Sequence, residues 1–308
     1  MKLIRRKGGS NAVAAIGMHP DGVSLICAQC TKSAPPQVLD WEYRPWGYGE
    51  SLEEILKDMA GTHKLKKQQC ATVIDPVDYR LLVSETVDVP AEEMAEALRW
   101  KVKDLLDFDV MDATLDVFGF PGPHDTNDSG QCYVVAAKNQ ALRKRIKTVI
   151  DAGANLRIID IPEMALRNVA AILPNRDKGV ACLYFNQTVG FLTISKGDVL
   201  HLSRTFNVGL GELLEAADRS EYVDRIVVEL RRSLDYYASH FKQPVIERLY
   251  LGPLPTELMG WELNFAERLA LAVEVMDLNT LARWPSEVPR DVAVKAFLTF
   301  GAALRQAH

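Results

Sequence analysis

Nowhere in the 308 residues is there a run of the roughly 18–20 apolar residues that a membrane-spanning helix requires. The basic start, MKLIRRKGGS, lacks the apolar stretch of a secretory leader. Acids outnumber bases 41 to 36, for a net charge of −5, so the basic surplus of a dedicated nucleic-acid binder is missing. There are only five cysteines, Cys27, Cys30, Cys70, Cys132 and Cys182. Cys27 and Cys30 form a C-x-x-C, but no second pair and no histidine pair stands at zinc spacing, and both lie in the strand-like run VSLICAQC; they read as plain thiols. The six histidines, His19, His63, His124, His201, His240 and His308, fall in loops and at helix ends with no catalytic neighbour in sequence, and read as surface residues. Low-complexity segments and short-period repeats are also missing. What remains is a cytoplasmic globular chain, long enough for two domains or one divided domain.

The apolar residues that are present follow two periods. Strand-like runs flank a turn at His19-Pro20-Asp21-Gly22 and again at Lys196-Gly197-Asp198, which predicts a hairpin over residues 11 to 30 and another over 179 to 204. Between the runs Ala181–Phe185 and Val189–Ile194 stand Asn186-Gln187-Thr188, polar residues that a buried hairpin does not need. Further strands are expected at APPQVLDWEYRPWG, on both sides of Asp75-Pro76, at DATLDVFGF, GQCYVVAA, NLRIID and IERLYLGP.

Helical spacing appears at Leu52, Ile55, Leu56 and Met59, preceded by Ser51 with Glu54 three residues on, a capping box. A helix opening with Pro90 at its first position carries the stripe Met94, Leu98, Val102 and Leu105. Another buries Leu142, Ile146, Val149 and Ile150, and its run Arg143, Lys144, Arg145 and Lys147 reads as a solvated face or a contact for anionic lipid. Lys2, Arg5, Arg6 and Lys7 carry the same two readings. A long helix spans Tyr222 to Phe241, and helices follow over Thr256–Leu271 and Asp291–Gln306. Asp160, at a strand end before a helix, reads as an N-cap. Ala165, Ala170 and Ala171 on one helix, and Gly301, Ala302 and Ala303 on the last, are small enough for two helices to cross closely. Each predicted hairpin is followed by helices and further strands, so the chain reads as two similar α/β halves.

That order resembles the actin-like (ribonuclease H-like) fold, two-lobed with a small inserted α+β subdomain. Within it, VDVPAEEMAEALRWKVKDLL (87–106), IIDIPEMALRN (158–168), VVELRRSLDYY (227–237), LYLGPLPTELMG (249–260) and FLTFGAALRQ (297–306) resemble the type IV pilus assembly family PilM, most closely its MSHA-pilus branch, MshI. The resemblance implies a first half over 1–87 and 156–178, an inserted subdomain over 88–155, and a second half over 179–308. It implies a cytoplasmic scaffold lying peripherally under the inner membrane. A groove beside the insertion would take the cytoplasmic tail of a bitopic membrane protein of the PilN kind. An assembly ATPase is a further partner, and nucleic acid is not one. Residues 71–120 are the expected tail region, by edge-strand addition, with Trp100 and Lys101 as candidate contacts. Off the main stripe of its helix, Trp100 reads as a flank of the core before it reads as an anchor.

Actin-like nucleotide binding uses two hairpin turns whose glycines and backbone N–H groups cradle phosphates, and acids that organise Mg²⁺. By resemblance the first turn maps onto Gly17 to Ser24, with Gly17 at the acid position and His19 at the first glycine. The second puts Tyr184 at the acid and Asn186 at the glycine, with Thr188 beyond. Gly252-Pro253 stands at the adenosine strand, where proline removes a donor. Glu229, Arg232 and Ser233 keep the positions used near the nucleoside. The cleft of Gly17, His19, Ser24, Tyr184, Asn186, Thr188, Glu229, Arg232, Ser233 and Gly252 is therefore expected to be vestigial, with no ATPase activity, no cofactor and no metal, since hydrolysis needs charge neutralisation and positioning. Weak ATP/Mg binding, a working actin-like ATPase or nucleotide-gated adaptor, and a type II secretion platform protein of the GspL kind are the alternatives. A GspL-kind protein would continue into a membrane span that this chain does not show.

Overall fold

The computed structural model describes residues 12–31, 34–47, 49–125 and 130–305. Lys2, Arg5, Arg6, Lys7 and His308 lie outside the described residues. The first hairpin forms where the turn residues place it. Strands β1 (Ala12–His19) and β2 (Gly22–Thr31) pair antiparallel, with His19 opposite Gly22 and Gly17 opposite Ser24. Both are buried along most of their length, as continuous apolar runs in a sheet covered on both faces must be. β3 (Ala34–Pro45) joins β2 antiparallel. Helix α1 (Leu52–Thr62) starts in the expected capping box: the Ser51 side chain accepts from the Glu54 N–H, and the Glu54 carboxylate accepts from the Ser51 N–H. Ile55, Leu56 and Met59 are its buried face. β4 (Gln69–Val73) then runs parallel to β1.

The chain now leaves this sheet. β5 (Tyr79–Glu85), α2 (Ala91–Val102), β6 (Ala113–Gly119) and β7 (Gln131–Lys138) make a separate three-stranded sheet, order β5-β7-β6, with α2 packed on it. Pro90 is the cap residue before α2 rather than its first helical residue. Leu98 and Val102 are buried as expected, but Leu105 is exposed, because the helix tightens into a 3₁₀ turn at Lys103 and its stripe rotates away. α3 (Asn139–Asp151) and β8 (Leu156–Asp160) bring the chain back, β8 parallel to β4, and α4 (Pro162–Ala170) follows.

The second half repeats the first. β9 (Val180–Phe185), β10 (Gly190–Lys196) and β11 (Val199–Phe206) form the meander. α5 (Leu210–Glu215) and α6 (Ser220–His240) lead to β12 (Arg248–Leu251), parallel to β9. α7 (Trp261–Leu269) leads to β13 (Ala272–Val275), parallel to β12. α8 (Leu278–Leu281) and α9 (Arg290–Ala303) complete the described chain. The two sheet orders, β3-β2-β1-β4-β8 and β11-β10-β9-β12-β13, are the same order element for element. α7 fills the later part of the helix expected over 256–271, and β13 follows just beyond it, where no strand is expected: its four residues are too short to show a period of their own.

The duplication also bounds the insertion. α3 stands between β4 and β8 where α7 stands between β12 and β13, so it is the crossover helix of the first half, and Val149 packs in that half's core with α1. Strand pairing and topology thus place the inserted sheet at 79–138, against the expected 88–155. Ile146 and Ile150 of α3 are 38% and 52% exposed instead of buried. Arg145, expected on a solvated face with Arg143, Lys144 and Lys147, turns inward to Thr72 Oγ1 and Asp75, both at 3.3 Å. It stands three residues from Leu142 and four from Val149, on the inward side of the helix, which is the signal that separates it from its basic neighbours.

The halves meet where α4 and α9 cross. α4 packs on β9, β10 and β11 of the second sheet, and α9 packs on β1, β2 and β4 of the first. A Cβ on Gly301 would overlap the Ala165 carbonyl oxygen, and Asn168 Nδ2 donates to the Gly301 carbonyl at 2.9 Å. One apolar core, including Val13, Ile26, Val180, Phe191, Phe297 and Phe300, runs through this crossing.

Three histidines are not the surface residues expected. His19 is half-buried on Ser24 (2.7 Å). His201 is 1% exposed, its Nε2 at 2.9 Å from Asp125 Oδ1. Asp125 also meets Lys196 at 2.5 Å and accepts from Gln243 at 3.0 Å, which ties the insertion to the second half. His63 lies between Asp40 (2.6 Å) and Glu42 (2.7 Å). Cys27 packs in the core beneath α1 and Cys30 against the core at the crossing, on opposite faces of β2, so the C-x-x-C is not a chelating pair.

Replacing Gly301 by alanine forces the crossing apart and is expected to cost about 1–3 kcal/mol in urea denaturation. For His63, burial works against the charged ring, but hydrogen bonds to Glu42 and Asp40 outweigh it and raise its pKa above 6.5. Its contribution is therefore full in acid and lost as pH rises through the raised value. The stability gap between wild type and His63→Gln is expected to be wide near about pH 6 and to close near about pH 9.

Candidate functional site

Where the two opening hairpins face each other lies a cleft of about 740 Å³. Gly17, His19, Tyr184, Asn186 and Thr188 line it, as the sequence places them. The first turn is closed by side chains. Ser24 Oγ lies 2.7 Å from His19 Nε2 and 2.7 Å from Thr299 Oγ1 of α9. Any Cβ on Gly17 would overlap Thr299 and come within 2.5 Å of Ser24 Oγ and 2.8 Å of His19 Nε2. An acid at this position has no room. Burial, the largest influence, brings the His19 pKa down to about 4, so the ring is neutral at physiological pH and offers no fixed cation to an anion.

The second turn is closed by its own backbone. Asn186 Oδ1 accepts from the N–H groups of Thr188 (2.8 Å) and Val189 (2.7 Å). These are the donors that a phosphate would use in such a turn. The Asn186 and Gln187 carbonyls accept from Leu210 and Gly211 at the start of α5, at 2.8 and 3.0 Å. Gly209 allows that approach, since a Cβ there would overlap the backbone of Thr188. Tyr184 is buried and stacks on Phe297 of α9, centroids 5.4 Å apart. A Cβ on Gly252 would come within 2.8 Å of the Tyr184 ring, so glycine is required there by the tyrosine itself.

Two of the three lysine and arginine side chains that line the cleft, Lys295 and Arg145, are engaged; Arg290 is the third. Lys295 Nζ is 2.5 Å from Asp21, which also accepts from Tyr43 at 2.9 Å, and Arg145 pairs with Asp75. Burial works against ionised Asp21, but Lys295 and Tyr43 overcome it and hold its carboxyl below the ordinary range. Among the described residues no group of three or more His, Cys, Asp or Glu side chains is placed to hold a metal ion.

Glu229, Arg232 and Ser233 do not reach this cleft. Glu229 and Arg232 pair with each other at 2.7 Å on the outer face of α6, and Ser233 is buried, its hydroxyl donating to the Glu229 carbonyl. A one-turn spacing put all three on one helix, but the helix faces its own sheet with Ser233 and solvent with the charges.

Beside the cleft, between the insertion and the first half, runs a second groove of about 640 Å³. One face of the inserted sheet (Thr114, Asp116, Phe118, Val135, Ala137) forms one wall, and Leu142, Arg143 and Ile146 of α3 form the other. Ile74, Ile159, Asp160, Met164 and Arg305 close its end. Asp160 does not cap α4, whose cap residue is Ile161 with no side-chain bond; it pairs with Arg305 at 2.9 Å. Trp100 is neither in this groove nor against a core: it is 63% exposed beneath Lys103, and Lys101 reaches Glu85 at 3.9 Å. A third cavity, about 1150 Å³, separates β5 from β11, and its charged groups are largely paired, Arg80 with Asp107 and Tyr79 with Glu163 at 2.5 Å each.

No family model matches the chain, and no curated protein matches it. Solved structures do. The PilM–PilN type IV pilus biogenesis complex superposes with a TM-score of 0.73, covering 95% of this chain and 97% of that one at 18% identity. A Bacteroides thetaiotaomicron protein with an actin-like ATPase fold superposes at 0.52, covering 97% and 99% at 10% identity. The cytoplasmic domain of EpsL, an inner-membrane component of the Vibrio cholerae type II secretion system, covers 93% and 94% at 10% identity and a TM-score of 0.49, too distant to carry an argument. These likenesses lie in the fold, and the chain is an actin-like α/β protein of two lobes.

Gly17→Asp is expected to lower stability by about 1–3 kcal/mol, read in urea denaturation, because the new Cβ displaces Thr299.

Proposed function

We propose that this chain is a scaffold of type IV pilus biogenesis, of the MSHA type, that binds the cytoplasmic tail of an inner-membrane protein of the PilN kind. The apolar groove between the insertion and the first half carries this reading. It is open, it presents Ile146 and Phe118 to an incoming chain, and one of its walls is a half-exposed sheet face suited to an extended segment. The groove sits on a fold whose likeness to the PilM–PilN complex extends over almost the whole chain.

In this reading the chain lies peripherally beneath the inner membrane and takes its membrane address from the partner. No helix among the described residues is long and apolar enough to cross a bilayer. An assembly ATPase is a further partner, and nucleic acid is not. The nucleotide cleft is vestigial: its turns hold their own side chains where phosphates would lie, and the protein neither hydrolyses ATP nor needs Mg²⁺.

The test is fluorescence titration with the tail peptide of the PilN-like protein from the same organism. Ile146→Glu is expected to weaken binding about tenfold or more by charging the apolar wall, and Trp100→Ala to leave it unchanged. Unchanged affinity in Ile146→Glu would remove the groove from the account.

A further inference from the structure

Two strand edges border one cavity, and among the described residues no strand pairs with either on that side. β5 ends the inserted sheet, and β11 ends the sheet of the second half. The cavity of about 1150 Å³ lies between them. Residues 79–83 of β5 and 201–205 of β11 line it without a gap. Successive side chains point to opposite faces of a sheet, so a cavity lined by both sets lies along the strand edges.

The ladders show which backbone groups point into it. The Thr86 N–H donates to the Gly130 carbonyl at 2.9 Å and continues the register of β5 with β7. Hydrogen-bonded pairs alternate along an antiparallel ladder, so Ser84 and Leu82 bond β7, and Val83 and Leu81 turn their N–H and C=O groups outward. In the second half the Asn186 N–H donates to the Val189 carbonyl at 2.9 Å and continues the register of β9 with β10. Gly190 and Leu192 therefore bond β11 at Phe206 and Arg204, and Thr205 and Ser203 turn theirs outward. One carbonyl of each edge is already capped by a side chain: Arg80 donates to Tyr79 at 2.7 Å, and the Tyr133 hydroxyl to His201 at 3.0 Å. Among the described residues nothing bonds the outward groups of Leu81, Val83, Ser203 and Thr205. No proline interrupts either strand. Such edges accept an added strand.

The charges of the lining narrow what that strand carries. Asp107 is taken by Arg80, and Glu163 by the Tyr79 hydroxyl. Lys138 and Arg204 stand outside those pairs: Lys138 donates to the Val77 carbonyl, and Arg204 lies over the Tyr236 ring. Among the described residues no acid pairs with either, in a chain whose net charge is −5.

We propose that β5 and β11 together receive one extended, acidic segment of a partner protein, which adds as a strand between them and joins the inserted sheet to the sheet of the second half. Leu81, Val83, Ser203 and Thr205 make the backbone hydrogen bonds, and Lys138 and Arg204 select acidic side chains. The slot shares no lining residue with the groove beside α3 and does not rest on the reading of that groove.

The experiment uses the full chain and two short end-blocked peptides, one alternating valine with glutamate and one alternating valine with lysine. Binding is read by fluorescence anisotropy, and amide hydrogen exchange by NMR. The valine–glutamate peptide is expected to bind at least about tenfold more tightly than the valine–lysine peptide and to slow exchange at Leu81, Val83, Ser203 and Thr205 together. Arg204→Glu is expected to weaken the acidic peptide about tenfold and to strengthen the basic one, an inversion that a misfolded variant cannot produce; Lys57→Glu, on the exposed face of α1, is expected to do neither. Val83→Pro removes one outward donor at an edge that tolerates proline and is expected to weaken the acidic peptide. Failure of both peptides to bind, equal affinity for the two, protection that misses either strand, or an unchanged preference in Arg204→Glu would overturn the proposal.

Discussion

Helix α9 pressed against α4 at Gly301 is the contact on which the rest of the molecule depends. With no side chain at Gly301, the helix backbones approach until Ala165 touches the glycine directly. That depth brings each helix onto the sheet of the opposite half and lets one apolar core pass through the crossing. It also fixes what α9 presents farther along its length. Thr299 reaches the first hairpin turn and bonds Ser24, Phe297 lies against Tyr184 near the end of β9, and Arg305 beyond the helix meets Asp160. A single helix and the residues just past it thus brace one wall of the cleft and furnish the end of the groove.

Closure of the cleft is a matter of competition for donors and volume. A phosphate cradle works because its backbone N–H groups are unpaired and its glycines leave room. Here Asn186 takes the N–H groups of its own turn, and Ser24, His19 and Thr299 occupy the space beside Gly17. These are short hydrogen bonds within the protein, local at Asn186 and long-range between Ser24 and Thr299. The turns are consequently held by the fold itself, and the groove, whose walls belong to the insertion and the first half, offers open apolar surface of its own.

Much of this architecture is legible in the residues. The two turns, the capping box at Ser51 and Glu54, and the small residues on the crossing helices each act locally, and local chemistry can be read from neighbours in sequence. The substitutions at Gly17, His19, Tyr184 and Asn186 were visible by resemblance, and those residues do meet in the cleft. What joins distant segments was not. Nothing near Asp160 in sequence announces Arg305, nothing near His201 announces Asp125, and Thr299 gives no sign that it completes the turn at Gly17. The insertion's edges were misplaced because α3 looks like any amphipathic helix, and only the repeat of the sheet order shows to which half it belongs. Glu229, Arg232 and Ser233 share a helix with the expected spacing, but spacing does not say which way a helix faces.

The account turns on the two turns of the cleft holding the protein's own side chains where phosphates would lie. Isothermal titration of the full chain with ATP in the presence and absence of Mg²⁺ addresses it most directly. No magnesium-dependent heat and no released phosphate are the result this structure leads to; tight binding that requires Mg²⁺, followed by hydrolysis, would contradict it.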